Sequence, residues 1–140
     1  MLLLELAACT FLVFMWLSTM HFPHPHNNNP FALVYVAVII YMVTCWVGPL
    51  TGAHLNPSVT LALFAQNHQH RQKGAKALLA CYLLAQVLGC WAGAELAQGI
   101  SNTGGAVYND FDVKQVGQDC LEELFGTFVL ISFLLMVTHP

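Results

Sequence analysis

The chain has 140 residues, of which 57% are hydrophobic and only 8% are charged, and its formal net charge is −3. Soluble domains carry about 25% charged residues, so this composition excludes an ordinary water-soluble domain and predicts a membrane protein. Only four residues are Lys or Arg, which leaves no basic face for nucleic acid. Because no nucleophile, base and acid stand in a catalytic pattern and no phosphate-binding loop occurs, we do not expect an enzyme.

Four apolar stretches are long enough to cross a bilayer. They cover about residues 2–20, 31–47, 75–97 and 121–138. A helix needs roughly 20 apolar residues to cross the hydrocarbon core, so each stretch predicts one transmembrane helix. The first and third connections, residues 21–30 and 98–118, are polar and rich in turn-forming residues, which predicts surface loops.

The second connection contains a fifth apolar segment, residues 58–66, that is too short to cross. Its residues would extend roughly 13 Å at about 1.5 Å per residue, against a hydrocarbon core of about 30 Å. Asn56 followed by Pro57 predicts the helix start, because Asn caps free backbone N–H groups and Pro suits the first helical position. We therefore predict a half-helix that begins at about Asn56 or Pro57.

The residues just before this half-helix, 50–55, are predicted to be irregular. Irregular backbone is tolerated at membrane depth only inside protein or beside a water-filled cavity. We therefore expect the free carbonyls of this segment and the Asn56 amide to face a polar conduit. The positive end of the half-helix dipole would disfavour cations and protons there.

The run Gly52-Ala53-His54-Leu55-Asn56-Pro57-Ser58-Val59-Thr60 resembles the first Asn-Pro-Ala loop of the aquaporin, or major intrinsic protein, family. The family pattern is Ser-Gly-Ala-His-Leu-Asn-Pro-Ala-Val-Thr, from which this chain departs at Thr51 and Ser58. The resemblance implies an all-α membrane protein with an aquaporin-like half fold, that is, about four transmembrane helices plus one re-entrant half-helix. It also implies that pore and half-helix positions are held by Gly52, His54, Asn56, Pro57 and Ser58.

The resemblance raises two further expectations near this loop. Val36, twenty positions before Asn56, takes the place of a filter residue that is commonly aromatic in strict water channels. An aliphatic residue there predicts a wider and less polar pore entrance, which does not exclude small neutral solutes such as glycerol or urea. His54 is either a structural part of the loop or a pore-side histidine that titrates near neutral pH and gates flow.

Three polar residues within the spans are candidates for holding the loop. Glu5 and Glu123 head similar stretches, and because three spans lie between their starts the second copy would be inverted. In the family the matching glutamates brace half-helix loops by accepting backbone N–H groups, and a Gln at the position of Gln86 helps to hold the same loop. For the glutamates, a proton-relay role and a simple hydrated position at the interface also remain open.

We predict a single truncated aquaporin-like domain over residues 1–140. Its first inverted repeat would cover about 1–97, a loop 98–118, and the first helix of the second repeat about 121–138. A small residue recurs every fourth position in the third span, which predicts close packing of a neighbouring helix; these residues are Ala85, Gly89, Gly93 and Ala97. The cysteines have no spacing typical of a disulfide framework and are interpreted as small packing residues.

No second Asn-Pro box precedes another half-helix in these 140 residues, since Asn29-Pro30 is interpreted as a turn before a full span. The only Arg, Arg71, lies in a basic cluster with Lys73 and Lys76, which the positive-inside rule explains without a filter role. This cluster predicts that the N-terminus and the half-helix loop face the inside.

Two functions remain open at this point. We expect the chain either to form part of a passive channel for water or small neutral solutes, or to be a non-conducting structural subunit of a larger membrane complex. Its partners would be lipid and other membrane subunits that supply or replace the missing half. No cofactor is expected, and no metal site, because His21, His24 and His26 lie in a Pro-broken loop without carboxylates.

Overall fold

The computed structural model describes residues 1–21, 31–66, 73–101 and 113–138. The regular elements within these residues are all helices: α1 Leu2–His21, α2 Ala32–Thr51, α3 Pro57–Gln66, α4 Ala75–Ser101 and α5 Val113–Thr138. Four of them, all but α3, are long and apolar enough to cross a membrane. This confirms the predicted all-α fold with four spans, and α3 is the short helix predicted to begin at Asn56 or Pro57.

Helix α2 ends later than predicted. It continues through Pro49 to Thr51, so the non-helical connection comprises residues 52–56 rather than beginning at Leu50. A proline lacks the N–H that would bond one carbonyl a turn earlier, but one lost bond near a helix end does not stop the helix. The helix stops at Gly52, which has a φ of 85° and donates its N–H to the Gly48 carbonyl at 2.9 Å.

The third connection is shorter than predicted, because α4 runs to Ser101 and α5 begins at Val113. Residues 98–101 and 113–118 are therefore helical and not part of a loop. The apolar stretch marks where a helix enters hydrocarbon, whereas the polar residues beyond it can continue the same helix. Gln118, for example, donates from Nε2 to Glu122 Oε1 at 3.0 Å one turn later on α5.

Several sequence-based expectations lie outside the described residues. They concern residues 22–30, including Asn29-Pro30, His24 and His26, the cationic residue Arg71, and residues 102–112 of the third connection.

Helix α1 packs against both α2 and α4, and α3 packs against α4 and α5. A small apolar core joins α1 to α2 and to the connection after α2; it contains Ala8, Val43 and Val47, with Ile39, Ala53 and Leu55 packed around it. Among the described helices, α5 contacts α3 alone, and none of its spanning residues is buried. The short helix α3 therefore lies between the α1–α2–α4 group and α5.

Two glycines allow α1 and α4 to approach closely. A Cβ atom on Gly89 would lie 2.5 Å from the carbonyl oxygen of Leu6 and 2.8 Å from the Cβ of Cys9. A Cβ atom on Gly93 would overlap the carbonyl oxygen of Thr10. Side chains at these two positions would push the helices apart, so the small-residue stripe of α4 is the surface on which α1 packs.

Candidate functional site

The candidate site is the connection between α2 and α3, residues 52–56, together with the first turn of α3. Gly52, Ala53 and Leu55 have positive φ angles of 85°, 46° and 53°. For residues other than Gly, a left-handed conformation costs roughly 1–2 kcal/mol. Ala53 and Leu55 are therefore held in place by contacts with the helices around them.

The main contact comes from Glu5 on α1, whose side chain is fully buried. Its Oε1 accepts the backbone N–H of Leu55 at 2.6 Å and the Nε2 of Gln86 at 3.1 Å. Its Oε2 has no hydrogen-bond partner among the described residues. One carboxyl group thus joins α1, α4 and the connection, and it satisfies a backbone donor that lies between helices.

Gln86 extends this network to α3. Its Nε2 also donates to Thr60 Oγ1 at 2.8 Å, and Thr60 Oγ1 lies 3.1 Å from the Asn56 carbonyl oxygen and 3.2 Å from His54 Nδ1. A hydroxyl group has a single hydrogen, so when Thr60 donates to the Asn56 carbonyl, His54 Nδ1 must carry a hydrogen and donate to Thr60. The network then fixes the tautomer of His54.

Tyr82 and Thr51 hold the start of the connection. The Tyr82 hydroxyl donates to the Thr51 carbonyl at 3.1 Å, and the Ala53 N–H donates to Thr51 Oγ1 at 3.0 Å. The rings of His54 and Tyr82 pack with their centroids 5.1 Å apart. Tyr82 was not among the residues predicted from the sequence, although it precedes Gln86 by four residues and so lies on the same face of α4.

Asn56 caps the N-terminus of α3. Its Oδ1 accepts the Ser58 N–H at 2.8 Å, and its carbonyl accepts the Thr60 N–H at 3.0 Å. Asn56 also borders a groove of about 460 Å³ whose other wall is α5, lined there by Asp119, Glu122, Glu123, Gly126, Thr127 and Leu130. The N-terminus of α3, which is the positive end of its dipole, therefore lies at a groove whose opposite side, on α5, is polar and acidic.

Two predicted site residues, Glu123 and Val36, lie outside the hydrogen-bonded network of the connection. Glu123 is exposed on α5 and shares one groove with Asn56 and another with Ser58, but its carboxyl group makes no hydrogen bond with another described residue. Val36 is half-buried on α2, two turns before Val43 and on the same helical face. The structure thus brings Glu5 and Gln86 into contact with the 52–60 segment and leaves Glu123 across the groove.

Metal ligation is not supported by the described residues, which contain no group of three or more His, Cys, Asp or Glu side chains placed to hold an ion.

Four spans, with a short helix held between them by buried polar contacts, define a polytopic membrane protein with a re-entrant segment. The sequence model of the family described as Major intrinsic protein matches residues 2–140. The chain belongs to the major intrinsic protein family, and it is an integral multi-pass membrane protein.

Curated relatives include aquaporins of plants. The chain is 32% identical over 114 residues to Aquaporin PIP2-4 of Zea mays, an alignment that covers 78% of this chain and 38% of the relative. It is 30% identical over 114 residues to Aquaporin PIP2-1 of Arabidopsis thaliana, with coverage of 78% and 38%. The chain therefore spans less than half the length of these relatives. No solved structure matches it significantly.

Proposed function

We propose that this chain forms one half of a passive membrane channel for water or small neutral solutes. The observation that carries the proposal is the position of Asn56, at the capped N-terminus of α3 and on the wall of a groove of about 460 Å³. A neutral solute in this groove can exchange hydrogen bonds with water for hydrogen bonds with the Asn56 side chain. The positive end of the α3 dipole disfavours cations beside Asn56, whereas Asp119, Glu122 and Glu123 on the opposite side of the groove attract them.

The contacts around the connection support a structural role for the buried polar residues. Glu5 and Gln86 hold the 52–56 segment in a conformation that Ala53 and Leu55 would not adopt freely. His54 is bonded to Thr60 and packed on Tyr82, which favours its role as a part of the loop over a freely titrating gate. In this proposal Val36 sets the width of the mouth, and Glu123 is the corresponding brace of a second half.

The proposal requires a second half-helix that faces Asn56 from the opposite side of the membrane. We infer that a membrane-embedded segment outside these 140 residues supplies it. A second copy of this chain would have to adopt the opposite topology, which the basic cluster containing Lys73 and Lys76 opposes. By the same rule, the N-terminus and the 52–56 connection face the inside.

A non-conducting structural subunit is the second candidate. The observation that favours it is the unburied span of α5, a large apolar surface that suits contact with other subunits as well as with lipid. In that case the connection and α3 would preserve the family's half-pore as a rigid part of a larger complex.

Experiments on one preparation distinguish the channel from the structural subunit. The chain is extracted gently from its own membrane with everything that stays bound, and native mass spectrometry identifies the bound subunits. The same complex is then reconstituted into vesicles, and osmotic shrinkage is followed by light scattering. A channel predicts water permeability above that of protein-free vesicles and a second Asn-Pro half-helix in the complex. Permeability equal to that of protein-free vesicles, in a complex of unrelated subunits, would support the structural subunit.

A further inference from the structure

Two of the five cysteines are next to each other at the interface of α1 and α4. Cys9 is fully buried on α1, and Cys90 is half-buried on α4. Glu5 and Gln86, whose side chains are hydrogen-bonded at 3.1 Å, each lie four residues before one of these cysteines, so Cys9 and Cys90 lie one helical turn further along the same interface. Cys45, Cys81 and Cys120 are exposed on their helices, so the pair differs from the other three in its setting.

The close approach of the two helices brings these thiols together. Gly89, which precedes Cys90, leaves the space that the Cβ of Cys9 fills, and a Cβ at Gly89 would be only 2.8 Å from it. Cys9 Sγ also donates to the carbonyl of Leu55 at 3.7 Å. Cys9 is therefore in contact with the strained connection as well as with α4.

We propose that Cys9 and Cys90 form an oxidisable dithiol site, which a small neutral peroxide converts to a disulfide that links α1 to α4 beside Leu55. A small neutral oxidant can enter the membrane, where a charged one cannot. The helices lie close together beside these residues, where a Cβ on Gly89 would lie 2.8 Å from the Cys9 Cβ, and a disulfide requires Cβ atoms about 3.5–4.5 Å apart.

The reaction proceeds in two balanced steps. Cys90, the more exposed thiol, reacts first: its S–H and one hydrogen peroxide give a sulfenic acid, S–OH, and one water. The Cys9 thiol then attacks this sulfur, the S–OH bond breaks, and the hydroxyl leaves with the Cys9 proton as a second water. In total, the two thiols lose two electrons and two hydrogens, and the peroxide O–O bond is reduced.

The direct test uses the unmodified chain in its native membrane. The membranes are treated with hydrogen peroxide, free thiols are blocked with an alkylating agent, and the chain is digested without reductant for mass spectrometry. We expect a linked pair of peptides, one containing Cys9 and one containing Cys90, with a mass two hydrogens below their sum. Dithiothreitol treatment should separate them.

The variants give a matched comparison. Cys90→Ser should abolish the linked peptides, while replacement of both Cys45 and Cys81 by Ser should leave them unchanged. The proposal is overturned if the oxidised wild-type chain carries Cys9 and Cys90 as separate alkylated thiols, or if either one is linked to a different cysteine. This test does not depend on conduction, so its outcome is independent of the proposed channel function.

Discussion

Glu5 joins the connection to α1 and α4 through its hydrogen bonds. A buried carboxyl group in a membrane span is costly unless it is hydrogen-bonded, and Glu5 receives donors from both Leu55 and Gln86. Removal of the carboxyl group leaves the Leu55 N–H buried without an acceptor. The position of Leu55, which has a φ of 53°, would then no longer be fixed.

We predict that Glu5→Leu lowers the free energy of unfolding by about 1–3 kcal/mol, the usual cost of one buried polar group left unpaired. Glu5→Gln should cost less, because an amide oxygen can still accept the Leu55 N–H. Glu95→Leu is the matched control, since Glu95 is exposed on α4. The measurement is denaturant unfolding of the purified chain in detergent micelles. Equal unfolding midpoints for Glu5→Leu and Glu95→Leu would show that Glu5 does not brace the connection.

Thr60 gives a second prediction at the scale of single residues. Thr60→Val keeps the shape of the side chain but removes the oxygen that receives the Gln86 Nε2 and bonds to His54. We expect a loss of about 1–3 kcal/mol in the free energy of unfolding. Thr10→Val is the control, because the Thr10 hydroxyl bonds only to the Leu6 carbonyl one turn earlier on α1. If the two variants unfold alike in the same assay, the network through Thr60 does not stabilise the fold.

The connection and the helix interfaces are the elements that position Asn56. Gly52 and Gly74 both have positive φ, of 85° and 83°, but only Gly52 has a neighbour within reach, the His54 ring, whose Nε2 would lie 3.1 Å from an added Cβ. The backbone strain of Ala is roughly 1–2 kcal/mol at either position. We expect Gly52→Ala to lower the unfolding midpoint more than Gly74→Ala, and the difference measures the contact with His54. A larger effect at Gly74 would contradict this account of the connection.

Packing of α1 on α4 gives the sharpest prediction for an element. Gly89→Ala places a Cβ against the backbone of α1, whereas Gly99→Ala on the same helix meets no atom within 4 Å. Overpacking of this kind costs typically about 1–3 kcal/mol, while Ala in open helix is favoured over Gly by up to about 1 kcal/mol. Gly89→Ala should therefore destabilise the chain and Gly99→Ala should not. Thermal unfolding in micelles checks both, and a stable Gly89→Ala chain would contradict the helix contact.

The elements also show which parts of the fold could be predicted. Asn56 and Pro57 predicted the start of α3 correctly, because capping depends on neighbouring residues. The end of α2 and the start of α5 were placed wrongly, because hydropathy reports where a helix enters lipid and not where its hydrogen bonds begin or end. The contacts of Glu5 with Leu55 and of Gln86 with Thr60 join residues distant in sequence, so their geometry depends on how the helices pack. The family resemblance indicated Glu5 and Gln86, but nothing in the sequence analysis indicated Tyr82.

At the scale of the whole molecule, the described helices form two unequal parts. α1, α2 and α4 enclose the connection and its polar contacts, while α5 is joined to the rest through α3, with Gln66 near the Leu135 carbonyl and bonded to Thr138. The span of α5 is apolar and unburied, as expected for a helix in contact with lipid or with another subunit. In the proposed channel, the groove between α3 and α5 therefore forms one side of the pore. A second half-channel forms the other side.

In the proposed channel Asn56 faces the permeating solute, and substitution at this position in the reconstituted complex tests that role most directly. Asp and Ser cap a helix about as well as Asn, so Asn56→Asp and Asn56→Ser should both keep the start of α3. Asn56→Asp adds a negative charge that offsets the positive end of the dipole. We expect it to lower osmotic water permeability severalfold and to introduce a cation leak, and Asn56→Ser to cause no leak. Wild-type permeability and no cation leak in Asn56→Asp vesicles would contradict a solute-facing Asn56.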